Sequence, residues 1–288
     1  MRLRFWVGLT AVILIAAGSV AAALAVRAND VDNFHRVQGE EASRAAHQVE
    51  SVAGLSVAQL ASAVSFYRAT GKLSPHEFDL VATPLLNRGA LNGTAFVQRV
   101  PRSRRHRFES EHGFPIIEKG LGGPRRAVSR AVYYPVVDAT AIHDTSQPPL
   151  GYDIGSDPMR SAYMRKAGRT GMPTATRVLP LLTGGLGINV YRPVYRDRSP
   201  TATVAERRRA LIGFAAGAFR LKDLAAVAIA AVPSAVDVQL QEEGRTVAGA
   251  TGALEDPASA PINVADGGWL LVIRDPNRPG ISLPLLIA

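Results

Sequence analysis

The chain opens on a run with no charged side chain, Phe5 to Val26 (FWVGLTAVILIAAGSVAAALAV), with Arg2 and Arg4 in front and Arg27 behind. About 20 consecutive apolar residues span a bilayer as a helix, so residues 5–26 predict a transmembrane helix. The flanking arginines place residues 1–4 in the cytoplasm and everything beyond Arg27 outside. A cleaved signal peptide competes, because Ala23–Ala25 and Val26–Ala28 resemble small-residue cleavage sites. Signal peptides carry about 7–15 apolar residues, and the greater length here favours an uncleaved anchor. A buried core helix is the weaker third reading.

From Arg27 to Thr70 the pattern changes period. Proline and turn clusters are missing, helix formers abound, and Val31, Phe34, Ala45, Val49, Val52, Leu60, Val64 and Tyr67 recur mostly at three- and four-residue spacing. Residues 27–70 therefore predict a long stalk helix, loosened near Gly54 and ending at Gly71. Such a stripe suits a homodimer seam or a helix lying on its own domain, and the two are compatible.

Ser74, Pro75 and Glu77 then mark a helix start. From Gly89 onward β-branched and aromatic residues between turn signals predict strands, TAFVQRV and RAVYYPVV, separated by a helix, RSRRHRFESEHG, that stops at Gly113. In Gly151–Gly171 (GYDIGSDPMRSAYMRKAGRTG), Asp157 and Pro158 start a helix and Thr170-Gly171 ends it. Its expected apolar stripe is Met159, Ala162, Tyr163 and Ala167. TRVLPLL and INVYRPVY flank Thr183–Gly187, which lacks the Gly-Lys-Ser/Thr ending of a phosphate loop and reads as a hairpin turn. ALIGFAAGAF, LKDLAAVAIAAV, AVDVQLQEE, TVAGA and GGWLLVIRD give strand, helix and further strands, a second and smaller α+β unit. The last residues, 276–288, turn apolar, as a juxtamembrane segment or the start of a truncated second membrane helix would.

Composition narrows the chemistry. With no cysteine there is no disulfide framework, thiolate metal site or catalytic thiol. The formal charge is +9, and the densest basic run, RVPRSRRHRFE (Arg99–Glu109), holds one aromatic residue and reads as a solvated helix face, so no nucleic-acid partner is expected. Six scattered histidines, no Gly-x-Ser-x-Gly and no His-Glu-x-x-His give no nucleophile, base or metal set. The expected catalytic residues, metal and cofactors are none.

The order of FVQRVPRSRRHRFESEHGF, GYDIGSDPMRSAYMRKAGRTGMPTATRV and GINVYRPVYRD…ATVAERRRALIGFAAGAFRLKDL, from Ala95 to about Leu224, resembles the CHASE family. These are extracytoplasmic sensing domains of receptor histidine kinases and nucleotide cyclases, plant cytokinin receptors included. The resemblance implies an α+β fold with a transmembrane helix, a long stalk and two PAS-like subdomains with antiparallel sheets. On this reading residues 71–211 form the membrane-distal, ligand-binding subdomain and residues 212–275 the membrane-proximal one. It also implies a cytoplasmic output module absent from this chain, which itself would not be an enzyme.

Carried over by register, the resemblance points to Asp144 and to Thr176, with Thr174 as the fallback, as ligand contacts; Phe96, Tyr133 and Leu179 are added as apolar walls for their strand positions. The expected partner is a small molecule, for which an adenine-like compound is one option. The expected location is the cell membrane, single-pass or truncated two-pass, with the main domain outside. The alternative is an envelope-anchored scaffold that kept the fold without binding a ligand.

Overall fold

One helix, α1 (Arg2–Thr70), runs the length of the molecule without a break. The computed structural model describes residues 2–70, 90–141 and 149–277, and within α1 the side chains of residues 14, 17–61 and 64. The helix start at Ser74, the loop holding Asp144 and the chain from residue 278 lie outside the described residues, as do most side chains of the first half of the Phe5–Val26 run. Among the described residues no helix is long and apolar enough to cross a membrane.

The expected loosening at Gly54 does not occur. Ala42, Ala45, Val49, Ala53, Val57 and Leu60 step by three and four, Ala46 lies beside them, and all are buried, so one continuous stripe holds the helix across the glycine. Its alanines let the sheets approach the helix axis closely.

β1 (Leu91–Gln98) leads through β2 (Val100–Pro101) into α2 (Arg105–His112), which ends on Gly113 at φ 75°. The hairpin β3 (Ile117–Lys119) and β4 (Pro124–Arg126) follows, then β5 (Val132–Tyr133), paired with β2, and β6 (Val136–Ala141). α3 (Pro158–Thr170) precedes β7 (Thr174–Ala175), β8 (Leu179–Pro180) and β9 (Leu186–Tyr195). α4 (Val204–Ala210), started by a Thr203–Glu206 capping box, feeds β10 (Leu211–Arg220). The main sheet is antiparallel in the order β6-β1-β10-β9-β7, with β8 also on β9.

The smaller unit begins at α5 (Leu221–Ala230), whose buried Leu221, Leu224, Ala225 and Ala228 form one apolar face. Strands β11 (Asp237–Glu242), β12 (Arg245–Gly249), β13 (Ala258–Val264) and β14 (Gly267–Arg274) pair in the order β12-β11-β14-β13. The expected boundary at residue 211/212 falls at the start of β10, yet β10 sits inside the larger sheet between β1 and β9. Nearly every residue of β10 is buried, the mark of a strand covered on both faces. The sequence reading named no strand at β13, which contains Pro261; as an edge strand it can hold a proline.

The largest core cluster gathers α1 from Ala42 to Leu60, Leu91, Ile188, Val190 and Phe219 of the main sheet, α5, and the inner face of the smaller sheet. Polar pins supplement it. Gln38 Nε2 donates to Ile273 O at 2.9 Å, and Glu50 Oε1 accepts from Asn263 N at 2.6 Å and Nδ2 at 3.0 Å. α1 thus serves as a common spine for both sheets.

Candidate functional site

Helix α3 is positioned by its own termini. Asp157 Oδ1 accepts from Arg160 N at 2.9 Å, Pro158 occupies the first turn, and Gly171 closes the helix at φ 81°. The buried face differs from the expected stripe. Met159 is exposed, whereas Arg160, Met164, Ala167 and Gly168 are buried.

Arg160 accounts for the difference. Its Nη1 donates to Asp157 Oδ2 at 2.9 Å, Nη2 to Pro180 O at 2.5 Å, and Nε to Asn189 Oδ1 at 3.4 Å. A buried guanidinium is tolerated when it is paired and its donors are satisfied. This one ties α3 to β8 and β9, the two strands that flank a cavity.

That cavity lies on the α3 side of the main sheet. Gly93, Thr94 and Ala95 of β1, Thr140 of β6, Asn189 and Tyr191 of β9 and Ala216–Ala218 of β10 line it, with Ile154, Leu182 and Thr183. It is small, about 30 Å³, room for a water molecule or two as it stands. Small residues on β1 and β10 create the space. A Cβ on Gly93 would stand 3.0 Å from Thr183 Cγ2, so a side chain there would press on the Thr183 methyl.

The polar groups around the cavity are few and specific. Thr94 Oγ1 donates to Ala216 O at 3.1 Å. Tyr191 donates to Asn189 Oδ1 at 3.5 Å, and burial pushes its phenol far above the usual range, leaving the hydroxyl neutral. Thr183 is 4% exposed and its Oγ1 has no hydrogen-bond partner among the described residues. A buried hydroxyl without a partner costs about 1–3 kcal/mol, which a ligand atom placed beside it would recover.

The residues expected at the site are placed unevenly. Thr176 is fully buried; its Oγ1 accepts from Asn189 N at 2.9 Å and its own N–H donates to Asn189 O at 2.8 Å. Thr174 pairs in register with Tyr191. Both threonines therefore brace the segment of β9 that lines the cavity. Leu179 packs with Leu181 and Ala218, behind the cavity wall. Phe96 instead clusters with Val194 and with Val64 of α1. Tyr133 sits in a further cluster with Val100, Phe108, Ile116 and Ala127. Asp144 lies outside the described residues.

The structure adds Thr183, Asn189 and Tyr191, which the sequence reading treated as a turn and an ordinary strand. The available signal was the Gly-Gly turn beside a strand carrying an amide and a phenol on alternate positions.

Tyr133 and the Gly-Tyr-Asp segment belong to a structural brace. Tyr133 Oη accepts from Arg130 N at 3.1 Å and from Arg105 Nη1 at 3.2 Å. Arg130 also pairs with Glu118 and, at 2.6 Å, with Asp153 Oδ2. Asp153 Oδ1 accepts from Tyr134 N at 2.7 Å and Gly155 N at 3.1 Å. Gly151 holds φ 81°, and a Cβ on it would lie 2.2 Å from Pro115 O, so the segment requires glycine.

The plant protein "Probable histidine kinase 4" of Oryza sativa subsp. japonica is 32% identical over 142 residues, 48% of this chain and 13% of that protein. The chain thus spans a small part of the length of this curated relative. Among solved structures, the periplasmic sensory domain of the Campylobacter jejuni chemoreceptor Tlp1 is similar at TM-score 0.52 and 13% identity, over 86% of this chain and 95% of that one. An extracellular ligand binding receptor from Desulfohalobium retbaense DSM5692 is similar at TM-score 0.50 and 11% identity, over 80% of this chain and 38% of that one. At such identities these two attest the fold. The CHASE domain itself matches residues 71–251, well over half the sequence, and the chain belongs to the CHASE domain family of sensor domains.

Proposed function

We propose that this chain is the extracytoplasmic sensing region of a membrane receptor and that it binds a small molecule in the cavity between β1, β9 and β10. The observation that carries the reading is the buried Thr183 hydroxyl, unpartnered among the described residues, at the edge of a cavity whose floor on β1 and β10 is mostly alanine and glycine. Folded proteins seldom leave such a group unsatisfied; a ligand-binding wall is a reason to do so. Thr176 and Thr174 serve in this reading as braces behind Asn189 and Tyr191, and Asp144 is kept as a contact on sequence grounds alone.

The apolar run Phe5–Val26 acts in this proposal as the anchor, and α1 as the element that carries occupancy of the cavity toward the membrane and an output module. A ligand does this only by binding one arrangement of the protein more tightly than another. The exposed face of α1 is the proposed seam of a homodimer.

The test uses Thr183→Val, which removes the hydroxyl and keeps the shape. Without ligand the variant should be as stable as the parent, or more stable by about 1 kcal/mol. A thermal-shift screen of purines, carboxylates, amino acids and short peptides should find a compound that raises the melting temperature of the parent and raises that of Thr183→Val less. A screen without hits, with Thr183→Val destabilised, would favour the scaffold reading instead.

A further inference from the structure

We infer that the crevice between α3 and the smaller sheet is a second ligand site, which takes a primary ammonium on a short aromatic body and uses the Glu242 carboxylate as its counter-charge. The crevice shares no lining residue with the cavity of the main sheet, so the two sites stand or fall separately.

The space comes first. Where α3, β7 and the ends of β11 and β14 meet, a crevice of about 350 Å³ opens, with Tyr163 of α3 and Trp269 of β14 in its walls. That volume falls within the range of small-molecule sites. Gly267 and Gly268 border it as bare backbone. A Cβ on Gly267 would stand 2.6 Å from Trp269 Cη2, so a side chain there would crowd the ring.

Charge decides what fits. Asp266 is paired with Lys166 at 2.7 Å, and Glu243 with Arg177. Glu242, the remaining acid of the crevice, is half-buried and held by neutral donors. Its Oε1 accepts from Val178 N at 3.1 Å and Trp269 Nε1 at 3.2 Å, and its Oε2 from Val178 N at 3.3 Å. No cation among the described residues stands within ion-pair distance of it, because the two cations of the crevice pair elsewhere. The carboxylate is thus fixed in place with its charge uncompensated, and a bound cation supplies the missing partner.

A metal ion does not fit this role, since among the described residues no three acids or histidines converge to hold one. Oε2, with a single long contact, has a lone pair free for an N–H donor, which a primary ammonium offers and a quaternary one lacks. The Tyr163 and Trp269 rings give the organic body its apolar walls. They come from different units, so a ligand between them touches both and favours the arrangement in which they are joined.

Three probes of similar shape differ in their end group: phenethylammonium, 2-phenylethanol and 3-phenylpropionate. Each is titrated at low ionic strength and neutral pH into the full chain in detergent. The chain carries Trp6→Phe, which leaves Trp269 as the only indole, and its Nε1–H signal is followed by NMR. Phenethylammonium should bind about 10-fold more tightly than 2-phenylethanol, the worth of one hydrogen bond to a charged group, and should move the Trp269 signal. 3-Phenylpropionate should bind least. Glu242→Gln keeps an oxygen for Val178 N and Trp269 Nε1 and removes the charge, so it should bring the ammonium and the alcohol to equal affinity.

Equal binding of ammonium and alcohol to the parent would overturn the inference, as would ammonium binding that leaves the Trp269 signal unmoved. A preference that survives Glu242→Gln, or no ammonium binding at millimolar concentration, would overturn it too. The ranking in the parent needs no change at Glu242, so the test survives should Glu242→Gln fail to fold.

Discussion

At the residue scale the charged groups near Arg130 show how burial and pairing compete. Burial pulls the Glu118 carboxyl upward, but Arg125 and Arg130 outweigh it and hold the group below its ordinary range. At Asp153 burial prevails over Arg130 and two N–H donors, and the carboxyl is raised. The two acids therefore respond oppositely to pH. Glu118 binds its proton less readily folded than unfolded, so its contribution is complete above the ordinary carboxylate range and fades as pH falls through its folded value. Asp153 favours folding at low pH and loses that effect as pH rises through its raised value. Glu118→Gln should thus cost about 1–3 kcal/mol at neutral pH, since it removes the charge that the largely buried Arg130 pairs with, and much less near pH 3. Urea midpoints at the two pH values check this; an equal loss at both would show that pairing to Arg130 is not what Glu118 contributes. None of this was legible beforehand. A basic run in sequence reads as a solvated face, and only the fold shows that Arg105 and Arg130 turn inward over the Tyr133 ring. Arg160 was hidden for the same reason, because its burial depends on carbonyls and an amide from strands 20 and 29 residues away.

At the scale of elements the local chemistry was readable wherever it was local. Asp157 and Pro158 start their helix, and Gly171 and Gly113 end theirs, as the sequence implied. The Thr183–Gly187 turn joins β8 to β9, with Leu181 N donating to Gly185 O at 2.9 Å. What could not be read was the partner of each apolar stretch. ALIGFAAGAF has the same pattern whether it opens the second unit or fills the centre of the first, and pairing with β1 and β9 decides. The Gly54 position misled because propensity alone predicts weakness there, whereas the neighbouring buried residues supply the strength. Leu60 is the sharpest test of that packing. It is fully buried against Leu91 and the backbone at Gly217. Leu60→Ala should cost about 3 kcal/mol, read as a lowered denaturation midpoint with an unchanged slope. A loss below 1 kcal/mol would mean that α1 is not held to the main sheet there.

Across the whole molecule, two sheets share one spine and also touch directly. Asp266 pairs with Lys166 of α3 at 2.7 Å and accepts from Ala175 N at 2.7 Å. Glu242 accepts from Val178 N at 3.1 Å and from Trp269 Nε1 at 3.2 Å, and Arg177 pairs with Glu243. These bonds attach to β7 and the segment after it, whose Thr176 clamps Asn189. Cavity wall and smaller sheet are therefore joined within a few residues of chain. Asp266→Ala should weaken that junction, so that calorimetry resolves two overlapping transitions where the parent shows one. A single undivided transition would assign the coupling of the two units to α1 alone.

The unbroken course of α1 has a mechanical consequence. At 1.5 Å per residue, the stretch from Leu60 back to Arg27 is about 50 Å long. Held to both sheets from Gln38 to Leu60, it tilts only together with the body it carries; a tilt of a single degree displaces its Arg27 end by about 0.9 Å relative to Leu60. Rearrangements around the cavity too slight to alter the fold would thus arrive at the start of the rod as displacements the size of a side-chain contact.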